Sequence, residues 1–156
     1  MKRITIGTIL VCTLLLFTAT LGMAAEAATK DECVAKVKQA AELFQTMSRD
    51  EVLAKINDPK GEFVWKDAYL FAMDLDKGSM LAHPIKPALI GKVLLTMKDT
   101  KGKLFFAEFV NVAKKDGEGW VSYMWPKPGE KTMSSKLTYI YRVPGQNVFL
   151  GAGIYE

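Results

Sequence analysis

Histidine occurs once in this 156-residue chain, at His83, and cysteine only twice, at Cys12 and Cys33. A metal centre needs several His, Cys or carboxylate ligands at helical or CxxC-like spacing, and no such grouping is present. A hydrolytic triad needs a nucleophile, a base and an orienting acid. The surroundings of the single base, Leu81-Ala82-His83-Pro84, form no nucleophile motif. The Gly117-Glu118-Gly119 and Gly151-Ala152-Gly153 fragments are too short for a nucleotide loop. No enzyme, metal or cofactor is therefore expected. Long runs of one charge are also missing. The formal charge of +4 is spread among interspersed acids, whereas nucleic-acid binders gather theirs in a patch or stripe, so no nucleic-acid partner is expected. There is no internal repeat and no low-complexity tract beyond the first segment.

One long uncharged run is present, at the beginning. Lys2 and Arg3 precede a stretch without charge from Ile4 to Ala25, which ends in Gly22-Met23-Ala24-Ala25-Glu26-Ala27-Ala28. A short basic start, an apolar run and an A-x-A ending form a cleavable export signal. The alternative is an uncleaved anchor, because about 20 apolar residues can span a bilayer. The small-residue ending favours cleavage. Cys12 sits mid-run behind bulky Val11 and does not suit a lipoprotein. The domain reading is a signal peptide over residues 1–27 and one domain over residues 28–156, periplasmic or secreted. Loss of Lys2, Arg3 and Glu26 takes the formal charge from +4 to +3. The remaining 129 residues are enough for one core without covalent staples. Only Cys33 then remains, so a reduced monomer or weak homodimer is expected, with Cys33 packed as a small apolar residue on the first helix.

Thr29-Lys30-Asp31-Glu32 and Ser48-Arg49-Asp50-Glu51 both read as capping boxes. Between them Val34, Val37, Ala41 and Phe44 recur at helical spacing, so a long N-terminal helix breaks near Met47 and restarts. Asn57-Asp58-Pro59-Lys60-Gly61 ends it. A later helix carries Phe105, Phe109 and Val112 on one face and stops at Gly117. Alternating runs predict strands over 68–75, 80–83, 120–125, 136–143 and 148–155. The fold class is α+β, a five-stranded antiparallel sheet with the long helix on one face and loops over the other.

On those strands aromatic residues share faces in pairs: Tyr69 with Phe71, Tyr123 with Trp125, and Tyr139 with Tyr141. Rings with polar tips make good pocket walls, although they equally fill a core. At these residues the chain resembles a known family. Leu81-Ala82-His83-Pro84, Gly119-Trp120-Val121-Ser122-Tyr123-Met124-Trp125-Pro126-Lys127-Pro128-Gly129, Lys136-Leu137-Thr138-Tyr139 and Gly151-Ala152-Gly153-Ile154-Tyr155 are similar, in this order, to the single Cache family and its second subtype. That subtype forms the extracytoplasmic sensor domain of bacterial chemoreceptors and sensor kinases.

The resemblance covers Thr29 to Glu156. It implies a PAS-like antiparallel sheet backed by a long helix, and a pocket for a small molecule, often a small organic carboxylate. Carried over by position, it makes His83, Tyr123, Trp125, Lys136 and Tyr139 the ligand-binding candidates, with Phe71 and Phe105 as further walls. Receptors of this family continue into a membrane helix and a signalling module. The present chain stops at Glu156, so a separate membrane sensor kinase or chemoreceptor is the expected partner. The other function reading is a structural or interaction module of Cache fold without a ligand. Lys136 and Tyr139 are an odd number of residues apart and would face opposite sides of a regular strand. Either Lys136 precedes the regular strand, or one of the two lies outside the pocket.

Overall fold

The computed structural model describes residues 26–156, so the expected signal segment up to Ala25, Cys12 included, lies outside the described residues. Two helices come first, α1 (Lys30–Leu43) and α2 (Arg49–Asn57). Each begins with the capping box its sequence carries. Thr29 Oγ1 accepts from the Glu32 amide while the Glu32 carboxylate accepts from the Thr29 amide, and Ser48 and Glu51 repeat the exchange. A second box placed straight after a first helix turns one long helix into two, because the Ser48 backbone is extended (ψ 153°).

Among the described residues six strands follow: β1 (Val64–Trp65), β2 (Ala68–Asp74), β3 (Met80–Ala82), β4 (Glu118–Pro126), β5 (Met133–Arg142) and β6 (Val148–Tyr155). Helix α3 (Phe105–Lys115) precedes β4. The sheet runs β1-β2-β6-β5-β4, and β3 also pairs with β2, antiparallel throughout. Five of these strands are the expected ones. The sixth, β1, has two residues, too few to show alternation, and its turn to β2 uses Lys66 at φ 48° rather than a glycine. Local punctuation therefore does not announce it.

The sheet is covered on both faces, and strand parity assigns each residue to one of them. Cys33, Val37 and Ala40 of α1 and Val52 and Ile56 of α2 pack with Leu70, Ala72, Leu150 and Ala152. On the opposite face Phe105, Phe109 and Ala113 of α3 pack with Tyr69, Phe71, Met73, Tyr123, Ile140 and Phe149. This second cover is the difference from the expectation of loops alone. Phe105 and Phe109 share one helical face and are buried by the sheet, and Gly117 ends α3 at φ 81°. A loop leads from β3 to α3, with a short 3₁₀ turn over Pro87–Leu89, and completes this cover. Its far end is fastened to β4 by Asp99, whose carboxylate accepts from the amides of Lys101 and Lys103 at 2.9 Å and of Met124 at 3.0 Å. No described helix is long and apolar enough to cross a membrane.

Candidate functional site

Lys136 lies inside β5, paired with Tyr123 on β4 and Tyr155 on β6. Those pairings put three side chains in a row across the α3 face of the sheet. Lys136 has 0% exposure, and its Nζ has no hydrogen-bond partner. What surrounds that nitrogen is aromatic. It sits 4.0 Å from the centroid of Tyr69 and 4.8 Å from that of Tyr155. Ring faces attract a cation, but they do not replace the hydrogen bonds it makes in water. Burial accordingly brings the ammonium down from its ordinary range to about 7, against the opposing pull of Cys33 and Asp67. Asp67 does not complete an ion pair, and one of its oxygens accepts from the Ala28 amide at 2.8 Å instead.

His83 follows directly on β3 and has 2% exposure. Its backbone amide donates to Asn57 Oδ1 at 2.8 Å, so the last residue of α2 holds it. Its ring Nδ1 accepts from the Lys86 amide at 3.0 Å. In the neutral ring the proton therefore resides on Nε2, which is a donor. Burial, with the charges of Lys136 and Lys86, pushes this imidazole down to about 3, so it is neutral at ordinary pH. Its ring lies 4.9 Å from Tyr69, 6.2 Å from Phe71 and 6.4 Å from Trp125. Trp125 Nε1 donates to the Tyr69 hydroxyl at 2.8 Å, which leaves that hydroxyl its own proton to give. Phe105 stacks on Tyr123 at 4.5 Å, and the Tyr123 hydroxyl meets Thr138 Oγ1 at 3.1 Å.

Six of the seven candidate side chains therefore gather on the α3 face: Phe71, His83, Phe105, Tyr123, Trp125 and Lys136. Tyr139 does not. It pairs with Trp120 and Ala152, packs in the core of the α1 face, and donates its hydroxyl to Glu118 Oε2 at 2.6 Å. Since Lys136 belongs to the regular strand, the odd spacing places Tyr139 on the reverse side of the sheet. Two residues that the candidate set omits stand at the centre, Tyr69 and Tyr155. Tyr69 shares its strand face with Phe71, and Tyr155 follows two glycines on its own face of β6. A Cβ on Gly151 would come 2.3 Å from Phe71 Cζ, so the bare backbone there is what admits the ring. Among the described residues no three His, Cys, Asp or Glu side chains gather as a metal site requires. One cation, a neutral imidazole donor and a wall of rings can hold a small anion with a short apolar part.

The sequence pattern of the Cache domain matches residues 31–156, most of the chain and all of the sheet just described. The chain belongs to the Cache domain family. Relatives of this Cache domain include the methyl-accepting chemotaxis protein McpP of Pseudomonas putida, 34% identical over 89 residues, 57% of this chain and 16% of that protein. The sensor histidine kinase MctS of Rhizobium johnstonii is 31% identical over 90 residues, 58% of this chain and 19% of the relative. The matched stretch is thus under a fifth of either curated relative. Among solved structures, a Cache chemosensory domain that recognises carboxylic acid superposes with a TM-score of 0.68 at 29% identity, covering 80% of this chain and 91% of that one. A methyl-accepting chemotaxis protein of Vibrio parahaemolyticus gives 0.67 at 28% identity, covering 81% of this chain and 87% of that one.

Proposed function

We propose that this Cache domain is an extracytoplasmic sensor that binds a small organic monocarboxylate and acts with a signalling partner of the sensor kinase or chemoreceptor kind. The observation that carries this reading is the ammonium of Lys136, fully buried and without a hydrogen-bond partner. An unsatisfied buried polar group costs about 1–3 kcal/mol, more when charged. A carboxylate beside it would restore the missing bonds as charge-assisted ones. His83 Nε2–H and the Tyr69 hydroxyl are neutral donors on the same side, and Phe71, Phe105 and Trp125 would enclose a short apolar tail. With a single buried cation, a second carboxylate would have no partner, which favours monoanions over dianions. The carboxylic acid recognised by the similar Cache chemosensory domain agrees with this class. Tyr139, on the reverse face, takes no part.

A ligand-free interaction module is the second reading, favoured by the closeness of the site, where Lys136 and His83 are almost wholly buried. That reading leaves the orphaned ammonium without a purpose. Residues 1–27 read as an export segment, which supports a location in the periplasm or outside the cell, and intact-mass measurement of the exported chain tests this. Removal near Ala27 is expected, and a full-length mass confined to membranes would contradict it. The ligand is tested by thermal-shift screening against acids of two to six carbons, followed by titration calorimetry. Micromolar to millimolar binding of a monocarboxylate that outcompetes its dicarboxylate counterpart is expected. Absence of any acid binding would leave the interaction module as the better account.

A further inference from the structure

Every group that faces Lys136 is uncharged or is itself cationic, except one carboxylate engaged elsewhere. Across the sheet, on α1, lies the thiol of Cys33, which burial pushes up to about 12. From β2, β4 and β6 come the phenols of Tyr69, Tyr123 and Tyr155, all raised by burial and so protonated throughout the working range. Beyond β3 stand His83, a neutral imidazole, and Lys86, whose positive charge disfavours a second one nearby. The turn between β1 and β2 supplies Asp67, which accepts from the Ala28 amide. The ring faces of Tyr69 and Tyr155 and the distant pull of Asp67 offset only part of what burial costs a charged Lys136, and no group of the domain hydrogen-bonds it. The rest has to arrive with the ligand.

We propose that the site takes up a monocarboxylate together with one proton, the amine of Lys136 becoming an ammonium as its counter-ion arrives. This rests on the carboxylate reading of the same site. Written as a balance, the neutral amine of Lys136, one proton from solvent and the carboxylate anion give an ammonium–carboxylate pair inside the domain. No covalent bond is made. The free amine is half protonated near pH 7, whereas the pair keeps its proton well above that. Linkage then sets the sign: below this pH the cation is already present and affinity is flat, and above it each bound acid must draw a proton from solution. A sensor built this way reports the product of acid and proton concentrations on its alkaline side. Acidification, which accompanies accumulation of an organic acid, would sharpen its response to that acid.

Sodium propionate titrated calorimetrically into the full chain at pH 6 and pH 8.5 tests this. Affinity is expected to fall about 30-fold between the two, approaching tenfold per pH unit on the alkaline side. In buffers of different ionisation enthalpy, proton uptake should be close to zero at pH 6 and close to one per propionate at pH 8.5. Lys136→Arg, whose guanidinium does not titrate, should remove the pH dependence if it folds and binds. The buffer comparison on the wild-type chain decides the question even if that variant does not fold. Equal propionate affinity at both pH values without proton uptake would overturn proton coupling and leave the carboxylate reading standing. A Lys136→Arg protein that binds with undiminished pH dependence would assign the proton to another group and overturn it too. No propionate binding at either pH would remove both.

Discussion

The two faces of the one sheet are built from different materials. Against α1 and α2 the sheet presents Leu70, Ala72, Leu150 and Ala152, and the helices answer with Val37, Ala40, Val52 and Ile56. That face is mostly aliphatic and closely packed, and its polar tips, such as the Tyr139 hydroxyl, find partners at its margin. Against α3 the same strands present Tyr69, Phe71, Tyr123 and Phe149, and among those rings stand His83 and Lys136. Each face has one buried nitrogen without a partner, the indole Nε1 of Trp65 beside the first and the amine of Lys136 within the second, and only the second of these can carry a charge. The first face is thus a mainly aliphatic core, while the second is the one that would exchange stability for binding on the proposed reading. Alternation along each strand makes this division possible, since neighbouring residues of one strand serve different purposes.

The comparison can be broken most forcefully on the helix face. Ile56→Ala removes a fully buried side chain of α2 and should cost about 2–5 kcal/mol in chemical denaturation. Propionate affinity of the folded fraction should stay within about twofold of wild type. A large loss of affinity without unfolding would show that the faces are not separable. Lys136→Met should do the opposite on the other face. It exchanges an unsatisfied buried cation for a thioether, so the ligand-free domain should gain about 1–3 kcal/mol while carboxylate binding is lost. A destabilised Lys136→Met protein would mean that the amine is satisfied in the resting domain.

The pH dependence of stability sharpens the same point without ligand. The amine of Lys136 lies near 7 in the folded chain and in the ordinary lysine range when unfolded. Between these values the unfolded chain binds the extra proton, so this group makes stability rise with pH from about 7 to about 10. Denaturation across that range in wild type and Lys136→Met should show a rise in the first that the second lacks; parallel curves would remove the assignment. The smallest effect is expected of Tyr139→Phe. Losing the bond to Glu118 should cost about 0.5–1.5 kcal/mol and leave carboxylate affinity unchanged. A marked drop in affinity would return Tyr139 to the pocket.

Much of this architecture was legible because its signals are local. Both capping boxes, the stop at Gly117 and five of the strands are written within a few residues of where they act. The grouping of Tyr123, Trp125 and Lys136 follows from alternation once β4 and β5 are neighbours. Tyr139 was misplaced for the opposite reason: it travelled with Lys136 as one motif, although three steps along a strand reverse the face. Tyr69 was legible as the face partner of Phe71, but its place beside Lys136 was not, and Asn57 was out of reach. Tyr69 stands beside Lys136 because β2 pairs with β6, the last strand of the chain, and Asn57 meets His83 through a contact spanning 26 residues. Neither juxtaposition has a local signal. Strand β1 is too short to have one.

The ladder between β4 and β5 runs from Glu118 opposite Tyr141 to Pro126 opposite Met133 without a bulge. Such a run constrains how the gene can change length. One codon gained or lost inside β5 between Met133 and Lys136 would swing either the lysine or the residues beyond it to the wrong side of the sheet, exchanging a residue of the α3 face for one of the α1 face in a single event. The segments 127–132 and 144–147 carry no such penalty, because they lie outside the strands. Drift in length among descendants of this chain should therefore collect at the two hairpin ends, while the spacing from Lys136 to Thr138 and Ile140 stays as it is.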